Sequence, residues 1–314
     1  MAQLALLLVL ILLLVPTLSY GLSLQERLGF GADDVVLIIN ADDAGMCHSA
    51  NLAVFDAFEN GVLTSATVMM PCPWVKELAD WSKTHPEADF GLHLTHTNEW
   101  NRYKWGPVAG REAVPGLCDE AGYLLQGTED IYVHGTPEET WIEARAQIAL
   151  ADSLGLKYSH LDSHMGVMQY LDPYWDKYFE LAQEYNLPLR LEPAALLASF
   201  GLKDRHTLLD KAGILGATLV VEPKIQGSTP EEWYAAYEKG LRALGPGIHE
   251  VLLHPALPSD EIKSITGSWE HRYWDYLWLT RPETKALLNE LGIELIGYRP
   301  IMELQRKERA AAEG

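Results

Sequence analysis

Cysteine is scarce in this chain. The 314 residues include only Cys47, Cys72 and Cys118, and no two of them stand in a CxxC spacing. Three thiols can form at most one bridge, so the chain is not a small fold held together by disulfides. We expect the three to be small buried apolar residues.

Positive charge is also scarce, because 24 Lys and Arg stand against 44 Asp and Glu, a net charge of -20. Nucleic acid, anionic polymers and anionic lipid surfaces are bound by clustered positive charge, so none of them is an expected partner. Two nucleotide-binding motifs are missing as well: GxxxxGK[ST] does not occur, and no expected strand is followed by GxGxxG. The composition therefore excludes a nucleic-acid-binding protein and predicts no nucleotide site.

No apolar run is seen that would span a bilayer, which takes roughly 20 residues. Residues 4–15 are apolar without interruption, and Pro16, Ser19 and Gly21 follow them. This pattern is typical of a cleaved secretory signal peptide, although the usual Lys or Arg before the apolar run is missing. We predict a signal peptide over residues 1–21, a secreted or periplasmic mature protein, and no stable membrane insertion after cleavage. An uncleaved membrane anchor is the alternative.

Short apolar runs alternate with segments of helical period along the rest of the chain. The runs are residues 35–39, 64–70, 90–94, 158–161, 187–191, 218–221, 251–253 and 293–296. A helix is expected over residues 49–60, and three helix starts carry a capping Thr, a Pro and a Glu, at Thr136, Thr229 and Thr280. The alternation predicts an α/β fold, an irregular (β/α) barrel in a single domain over residues 22–304, with an open doubly wound sheet as the alternative. Residues 305–314 are expected to form a flexible tail.

The first predicted strand ends on two adjacent acids, Asp42 and Asp43. Ligands bind at the carboxyl ends of parallel strands, because the loops there converge on one open face. One carboxylate could hold a cation while the other handles protons. The alternative is that one of them only caps the following helix.

Histidines lie at the ends of further predicted strands, at His93, His164 and His254. Histidine together with carboxylate suits a divalent first-row metal. Asp43, His93 and His164 would form a site with three protein ligands and open positions, which is the catalytic kind. These residues form no local motif, so only a shared layer of strand ends would bring them together.

Two more polar residues precede His164 at the alternate positions of the same run, His160 and Asp162. In a strand all three side chains would lie on one side. We place His160 and Asp162 behind the ligands, where a carboxylate orients a metal-binding imidazole.

At these positions the sequence resembles the YdjC-like carbohydrate deacetylases, a branch of the polysaccharide deacetylases. Four blocks carry the resemblance in the right order and spacing: residues 40–43, 91–94, 160–164 and 254–256. It covers roughly residues 32–299, and residues 98–108 resemble one branch of the family.

The resemblance implies an irregular (β/α) barrel that hydrolyses the N-acetyl group of an amino sugar with a divalent metal, zinc or magnesium being the first candidates. The substrate would be an N-acetylated oligosaccharide of the chitooligosaccharide kind. The implied residues are the metal ligands Asp43, His93 and His164, the general base Asp42, the general acid His254 and an arginine beside the site, Arg190. His96 stands where relatives are expected to be apolar, so it is a fourth ligand, a substrate contact or, as we favour, a solvated loop residue.

The segment of residues 95–135 is long, irregular and rich in aromatic residues. Segments of this kind are typically functional lids or binding loops. Trp100, Tyr103 and Trp105 form a candidate platform for a sugar ring, since these side chains offer a flat surface with a polar edge. The alternative is that they pack the loop onto the barrel. Two other functions stay open: a secreted glycan-binding protein without turnover, and a metal-dependent hydrolase of another bond, such as a phosphate ester.

Overall fold

A computed structural model describes residues 21–220 and 227–314 of the protein. The predicted signal peptide lies outside these residues except for Gly21. Among the helices in these two ranges, none is both long and apolar enough to cross a membrane.

Strands and helices alternate along the described chain, as the apolar runs predict. The strands are β1 (Val35–Ala44), β2 (Ser65–Val68), β3 (Phe90–Leu94), β4 (Leu161–Ser163), β5 (Thr218–Val220), β6 (Gly247–Leu253) and β7 (Glu294–Leu295). The helices are α1 (Leu24–Arg27), α2 (His48–Asn60), α3 (Val75–Thr84), α4 (Thr128–His134), α5 (Pro137–Leu154), α6 (Asp172–Tyr185), α7 (Ala194–Ser199), α8 (Arg205–Ala212), α9 (Pro230–Arg242), α10 (Asp260–Ile265), α11 (Trp269–Thr280), α12 (Pro282–Glu290) and α13 (Arg299–Glu313). Short 3₁₀ turns span Pro115–Leu117 and His164–Gly166.

The strands form one parallel sheet in the order β4-β3-β2-β1-β6-β5, and β7 pairs with the first half of β1. Residues 187–191 connect the two ends of this order. Leu161 N donates to Pro188 O (3.1 Å), and Leu189 N donates to Leu215 O (3.2 Å), just before β5. The sheet therefore curves into an irregular barrel, which confirms the predicted single α/β domain.

Several predicted strands differ from the structure in their bounds. Within the described part of the chain, residues 187–191 form a single bridge, between Leu161 and Leu189, because Pro188 has no N–H to give to a ladder. β4 begins at Leu161 rather than at residue 158. In contrast β1 is longer than predicted, since it continues through both aspartates to Ala44.

Two of the three predicted helix starts are confirmed. Thr136 caps α5 and Thr229 caps α9, each accepting the backbone N–H of the Glu three residues later. The third is wrong by one residue: Thr280 ends α11, and Arg281 is the N-cap of α12. α11 continues to Thr280 because its Trp278 and Leu279 are buried against the core.

The C-terminal residues form a helix where the sequence predicts a flexible tail. α13 runs to Glu313 and includes residues 305–313, which were expected to form a flexible tail. Gln305 is buried and its Oε1 accepts from Leu215 N (2.7 Å), and Glu308 pairs with Arg27. These contacts hold the helix against the barrel, although its outer face is charged.

A separate apolar cluster fixes the long loop of residues 95–135 over the barrel. It contains Trp105, Leu117 and Leu124 from the loop, packed with Met46 and Cys47 at the carboxyl end of β1. Cys47 and Cys72 are buried as expected, whereas Cys118 is half-buried, and all three thiols are free. The loop is therefore an ordered wall beside the strand ends.

Candidate metal and catalytic site

The register between β1 and β2 shifts at the two aspartates, Asp42 and Asp43. Their side chains therefore enter the open carboxyl end of the barrel, which is called the barrel mouth below. β1 pairs with β2 at Asn40, Ala41 and Ala44, and the register shifts between Ala41 and Ala44. Asp43 there has a φ of 62°, a left-handed conformation that Asp adopts more readily than most residues. Such backbone positions are typical of functional sites. The capping alternative is wrong, since α2 has Cys47 as its N-cap.

Asp43, His93 and His164 meet at one point, as the strand-end layer predicts. Asp43 Oδ1 lies 3.5 Å from His93 Nε2 and 3.5 Å from His164 Nδ1. The two imidazole nitrogens are 3.0 Å apart. All three side chains are buried. Residues from β1, β3 and the end of β4 thus converge at the carboxyl edge of the sheet.

The three atoms fit the ligand set of a divalent metal. Separations of 3.0 to 3.5 Å are those of ligands that share one ion at roughly 2 Å, the usual length of bonds from zinc to imidazole nitrogen and carboxylate oxygen. Asp43 Oδ1 is buried and has no well-formed hydrogen bond from the described residues. Burial without a partner is costly for a carboxylate oxygen, and a cation removes that cost.

Each of the two histidines has a carboxylate behind it. His93 Nδ1 contacts Asp162 Oδ2, so Asp162 lies where it was expected. His164 Nε2 lies 3.2 Å from Glu99 Oε2, and Glu99 was not predicted. Carboxylates in such positions fix the tautomer and orientation of metal-binding imidazoles.

Charged neighbours shift the pKa values of Asp43 and His164 in opposite directions. Burial raises the pKa of Asp43, but the Arg272 guanidinium and His164 outweigh it, so that pKa lies well below its usual range. Burial lowers the pKa of His164, but the Glu99 and Asp43 carboxylates raise it to about 10. A field that favours positive charge on an imidazole also favours a metal cation there.

Arg190 binds Asp42 through two parallel hydrogen bonds. Its Nη1 donates to Oδ1 (2.6 Å) and its Nη2 to Oδ2 (2.5 Å). Asn40 Nδ2 and Thr67 Oγ1 also donate to Oδ1, both over 2.7 Å. Oδ2 accepts only the arginine among these donors, so it is the oxygen of Asp42 with a lone pair to spare. Arg190 thus lies beside the site, as the resemblance implies.

The same arginine neutralises the floor of the site. Its Nη1 lies 3.0 Å from Asp162 Oδ2 and 3.6 Å from Glu250 Oε1 on β6. Burial raises the pKa of Glu250 to about 8, and Tyr298 donates its hydroxyl proton to that carboxyl. One buried guanidinium therefore stabilises the acidic interior of the barrel mouth.

Comparison with known proteins shows which family the chain belongs to. The sequence profile of the family described as YdjC-like protein matches residues 36–290. The chain belongs to the YdjC-like family.

Relatives of this YdjC-like protein match over nearly their whole length. A carbohydrate deacetylase of Thermus thermophilus is 32% identical over 273 residues, which are 86% of this chain and 95% of the relative. A chitooligosaccharide deacetylase of Yersinia enterocolitica is 26% identical over 84% of this chain and 98% of its own length. The crystal structure of a candidate cellobiose-phosphate cleavage protein from Enterococcus faecalis, 28% identical, superposes with a TM-score of 0.73 and covers 85% of this chain and 99% of that one.

His254 of this YdjC-like protein directly follows β6, so it enters the mouth from the side opposite β3 and β4. Its backbone N–H donates to Asp275 Oδ2 (2.9 Å), and Trp233 Nε1 donates to Asp275 Oδ1 (2.7 Å). The side chain is half-buried, and positive charge on it contributes to the low pKa of Asp43. The backbone of His254 is therefore fixed while its ring can be reached.

Two other histidines have neighbours that the sequence did not predict. His160 stacks on the Tyr298 ring at 3.7 Å and its Nδ1 lies 3.1 Å from Ser159 Oγ, so it fills the barrel below the site. His96 is fully buried, with Nε2 2.9 Å from Thr140 O. The interpretation of His96 as a solvated loop residue is therefore wrong, because its ring joins the loop to α5.

The three loop aromatics divide into two groups. Trp105 is buried and its Nε1 donates to Thr97 O, and the Tyr103 hydroxyl donates to Met46 O, so these two pack the loop onto the barrel. Trp100 is half-buried, and the Arg272 guanidinium lies 5.6 Å from its ring centre. Arg272 in turn donates to Asp43, so a single side chain connects Trp100 to a proposed ligand.

Proposed function

We propose that this YdjC-like protein is a metal-dependent hydrolase that removes N-acetyl groups from amino sugars of the chitooligosaccharide kind. The convergence of Asp43, His93 and His164 at the barrel mouth carries the proposal. The names of the relatives, carbohydrate deacetylase and chitooligosaccharide deacetylase, support the choice of substrate.

Asp43, His93 and His164 would hold the ion. Two imidazoles and one carboxylate suit zinc better than magnesium, which prefers oxygen ligands alone. A divalent ion in such a place supplies Lewis-acid chemistry, since it lowers the pKa of water and polarises a carbonyl group.

Asp42 would be the general base. It adjoins Asp43 in the chain, and its Oδ2 has the free lone pair that a proton from the attacking water requires. Arg190 fixes both oxygens, so the carboxylate cannot rotate away from the reacting atoms. Proton transfer by a positioned group of this kind is worth typically about 10²- to 10⁴-fold in rate.

His254 would be the general acid that protonates the departing amine. An imidazole titrates near neutral pH, so it can give up a proton at the leaving nitrogen. Asp275 fixes its backbone, and β6, which His254 follows, lies on the other side of β1 from β3 and β4.

Acetate release tests this function. The purified chain, residues 22–314, is incubated with N,N'-diacetylchitobiose before chelation, after chelation, and after zinc is restored. We expect release that chelation abolishes and zinc restores. Sugar binding without acetate would favour a glycan-binding protein, and phosphate release from a sugar phosphate with no acetate from the disaccharide would favour a hydrolase of another bond.

The apolar leader leads to a second proposal, which concerns location. We propose that residues 1–21 are cleaved and that the mature protein is secreted or periplasmic, where oligosaccharides from outside the cell would reach it. The N-terminal sequence of the mature protein, recovered from its native host, tests this: a start near residue 22 is expected, and a start at Met1 would contradict it.

A further inference from the structure

Apolar side chains are exposed beside the metal-binding end of β4. Met165, Leu171 and Phe200 have 44%, 41% and 56% of their surface exposed. Together with Tyr170 they are called the outer apolar surface below. Exposed apolar groups next to a catalytic mouth are typical of ligand-binding surfaces.

The backbone of Met165 has an unfavourable conformation that neighbouring side chains stabilise. Its φ is 53°, a left-handed conformation that is unusual for a side chain of this size. Thr128 Oγ1 donates to its carbonyl oxygen (3.2 Å), and Thr97 Oγ1 donates to its sulfur (3.4 Å). Met165 directly follows His164 in the chain, so these contacts fix an exposed apolar side chain one residue after a proposed ligand.

Tyr170 extends the surface outward from that point. Its ring lies so close to Gly166 that a Cβ there would come within 2.3 Å of it, and its ring centre is 5.1 Å from that of Phe200. Its hydroxyl donates to Glu192 Oε1 (3.2 Å). Glu192 follows residues 187–191 of the barrel, so a carboxylate borders the apolar rings at the mouth.

We propose that the outer apolar surface binds a second pyranose ring of the substrate, next to the ring that carries the scissile acetamide. This rests on the proposed function. A pyranose ring has an apolar face of C–H groups and a rim of hydroxyls. The rings of Tyr170 and Phe200 offer apolar area to the face, and the carboxylate oxygens of Glu192 are acceptors suited to the hydroxyls. Met165 and Gly166 join this surface to His164 along the chain, and the Tyr170 ring packs against Gly166, so we place the two rings of one disaccharide side by side.

Chain length separates the second ring from the first in an experiment. The wild-type holoenzyme is assayed for acetate release from N-acetylglucosamine and from N,N'-diacetylchitobiose, beside Phe200→Ala and Tyr170→Phe. Leu295→Ala is the matched control. Leu295 is an exposed apolar residue on β7, and its partner on β1 is Leu37, at the end of β1 away from Asp43.

We expect the wild type to have a higher kcat/KM for the disaccharide than for the monosaccharide. Phe200→Ala should raise KM for the disaccharide about three- to tenfold with kcat nearly unchanged, the size expected for one aromatic contact. Tyr170→Phe, which keeps the ring, should raise it less, and Leu295→Ala should not change it. The monosaccharide parameters should be the same in all four proteins.

Three results would overturn the subsite. One is equal kcat/KM for both sugars in the wild type, another is an unchanged disaccharide KM in Phe200→Ala, and the third is an equal loss with both sugars. Absence of acetate from either sugar in the wild type would instead contradict the proposed function, and with it the subsite. Phe200 is more than half exposed, so its replacement leaves the core intact.

Discussion

Arg272 binds the oxygen of Asp43 that is not shared with the two histidines: Nη2 donates to Oδ2 over 2.8 Å. The two adjacent aspartates therefore each have an arginine of their own, since Arg190 binds Asp42. Both guanidinium groups are buried. With Oδ2 engaged, Asp43 offers Oδ1 alone in a fixed orientation, so Arg272 acts as a positioning residue for the proposed metal ligand.

Arg272→Lys should weaken metal binding about tenfold, the lower end of the losses caused by removing groups that orient metal ligands. Lysine keeps the positive charge but loses the planar guanidinium that fixes the carboxylate. Zinc affinity is measured by competition with a chromophoric chelator. The control is Arg281→Lys on the surface, and an affinity equal to wild type in a folded Arg272→Lys protein would show that orientation by Arg272 is unimportant.

Asp42→Asn should lower acetate release by about 10²- to 10⁴-fold, because the amide cannot accept the proton. The ion should stay bound, since the three proposed ligands are unchanged. The loss of charge opposite buried Arg190 should also lower the unfolding midpoint. Steady-state rates and thermal unfolding are measured together, and a folded variant that kept most of the wild-type rate would remove Asp42 from the mechanism.

His96 should make the protein less stable in mild acid. Burial lowers its pKa to about 4, against 6.5 for an exposed histidine, so the unfolded chain binds a proton that the folded protein excludes. The contribution of His96 to the free energy of unfolding is complete above pH 6.5 and is lost as the pH falls towards 4. The free energy of unfolding is measured in urea at pH 7 and pH 4.5 for the wild type and His96→Gln. Its fall between the two pH values should be smaller in the variant. His134→Gln, at an exposed site, should retain the wild-type fall, and parallel falls in all three would contradict the assignment.

Gly91→Ala should destabilise the protein by about 1–3 kcal/mol, the usual cost of overpacking a core. A Cβ at Gly91 would lie 2.3 Å from the buried His160 ring. Gly240→Ala in α9 is the matched control, because nothing lies within 4 Å of its Cβ position and alanine favours helix by up to about 1 kcal/mol. Urea midpoints should move in opposite directions, and an unshifted Gly91→Ala midpoint would show that the barrel has room there.

The convergence of the three proposed ligands was predictable because a parallel fold sets it by topology. Asp43, His93 and His164 each stand at the end of an apolar run, and parallel strands bring such ends to one edge. The contact between His93 and Asp162 follows from the same register, in which the two residues are Cα partners of β3 and β4. The order of the strands in the sheet, rather than a local motif, made these positions predictable.

Arg272 and Glu99 were missed because tertiary packing alone brings them to the site. Arg272 lies within α11 and Glu99 lies in the long loop after β3, so neither stands at the end of an apolar run. α11 did contain a signal: Arg272 and Asp275 are charged residues in a helix otherwise rich in Trp and Tyr, and buried charges require partners. His96 was misjudged for a related reason, since a loop of that length gave no sign that it packs on α5.

Ion stoichiometry is the most direct test of the metal site. Native mass spectrometry of zinc-loaded protein should show one bound ion in wild type and Asp42→Asn, and none in Asp43→Ala or His164→Ala after the same dialysis. One retained ion in folded Asp43→Ala and His164→Ala would contradict the site formed by Asp43, His93 and His164.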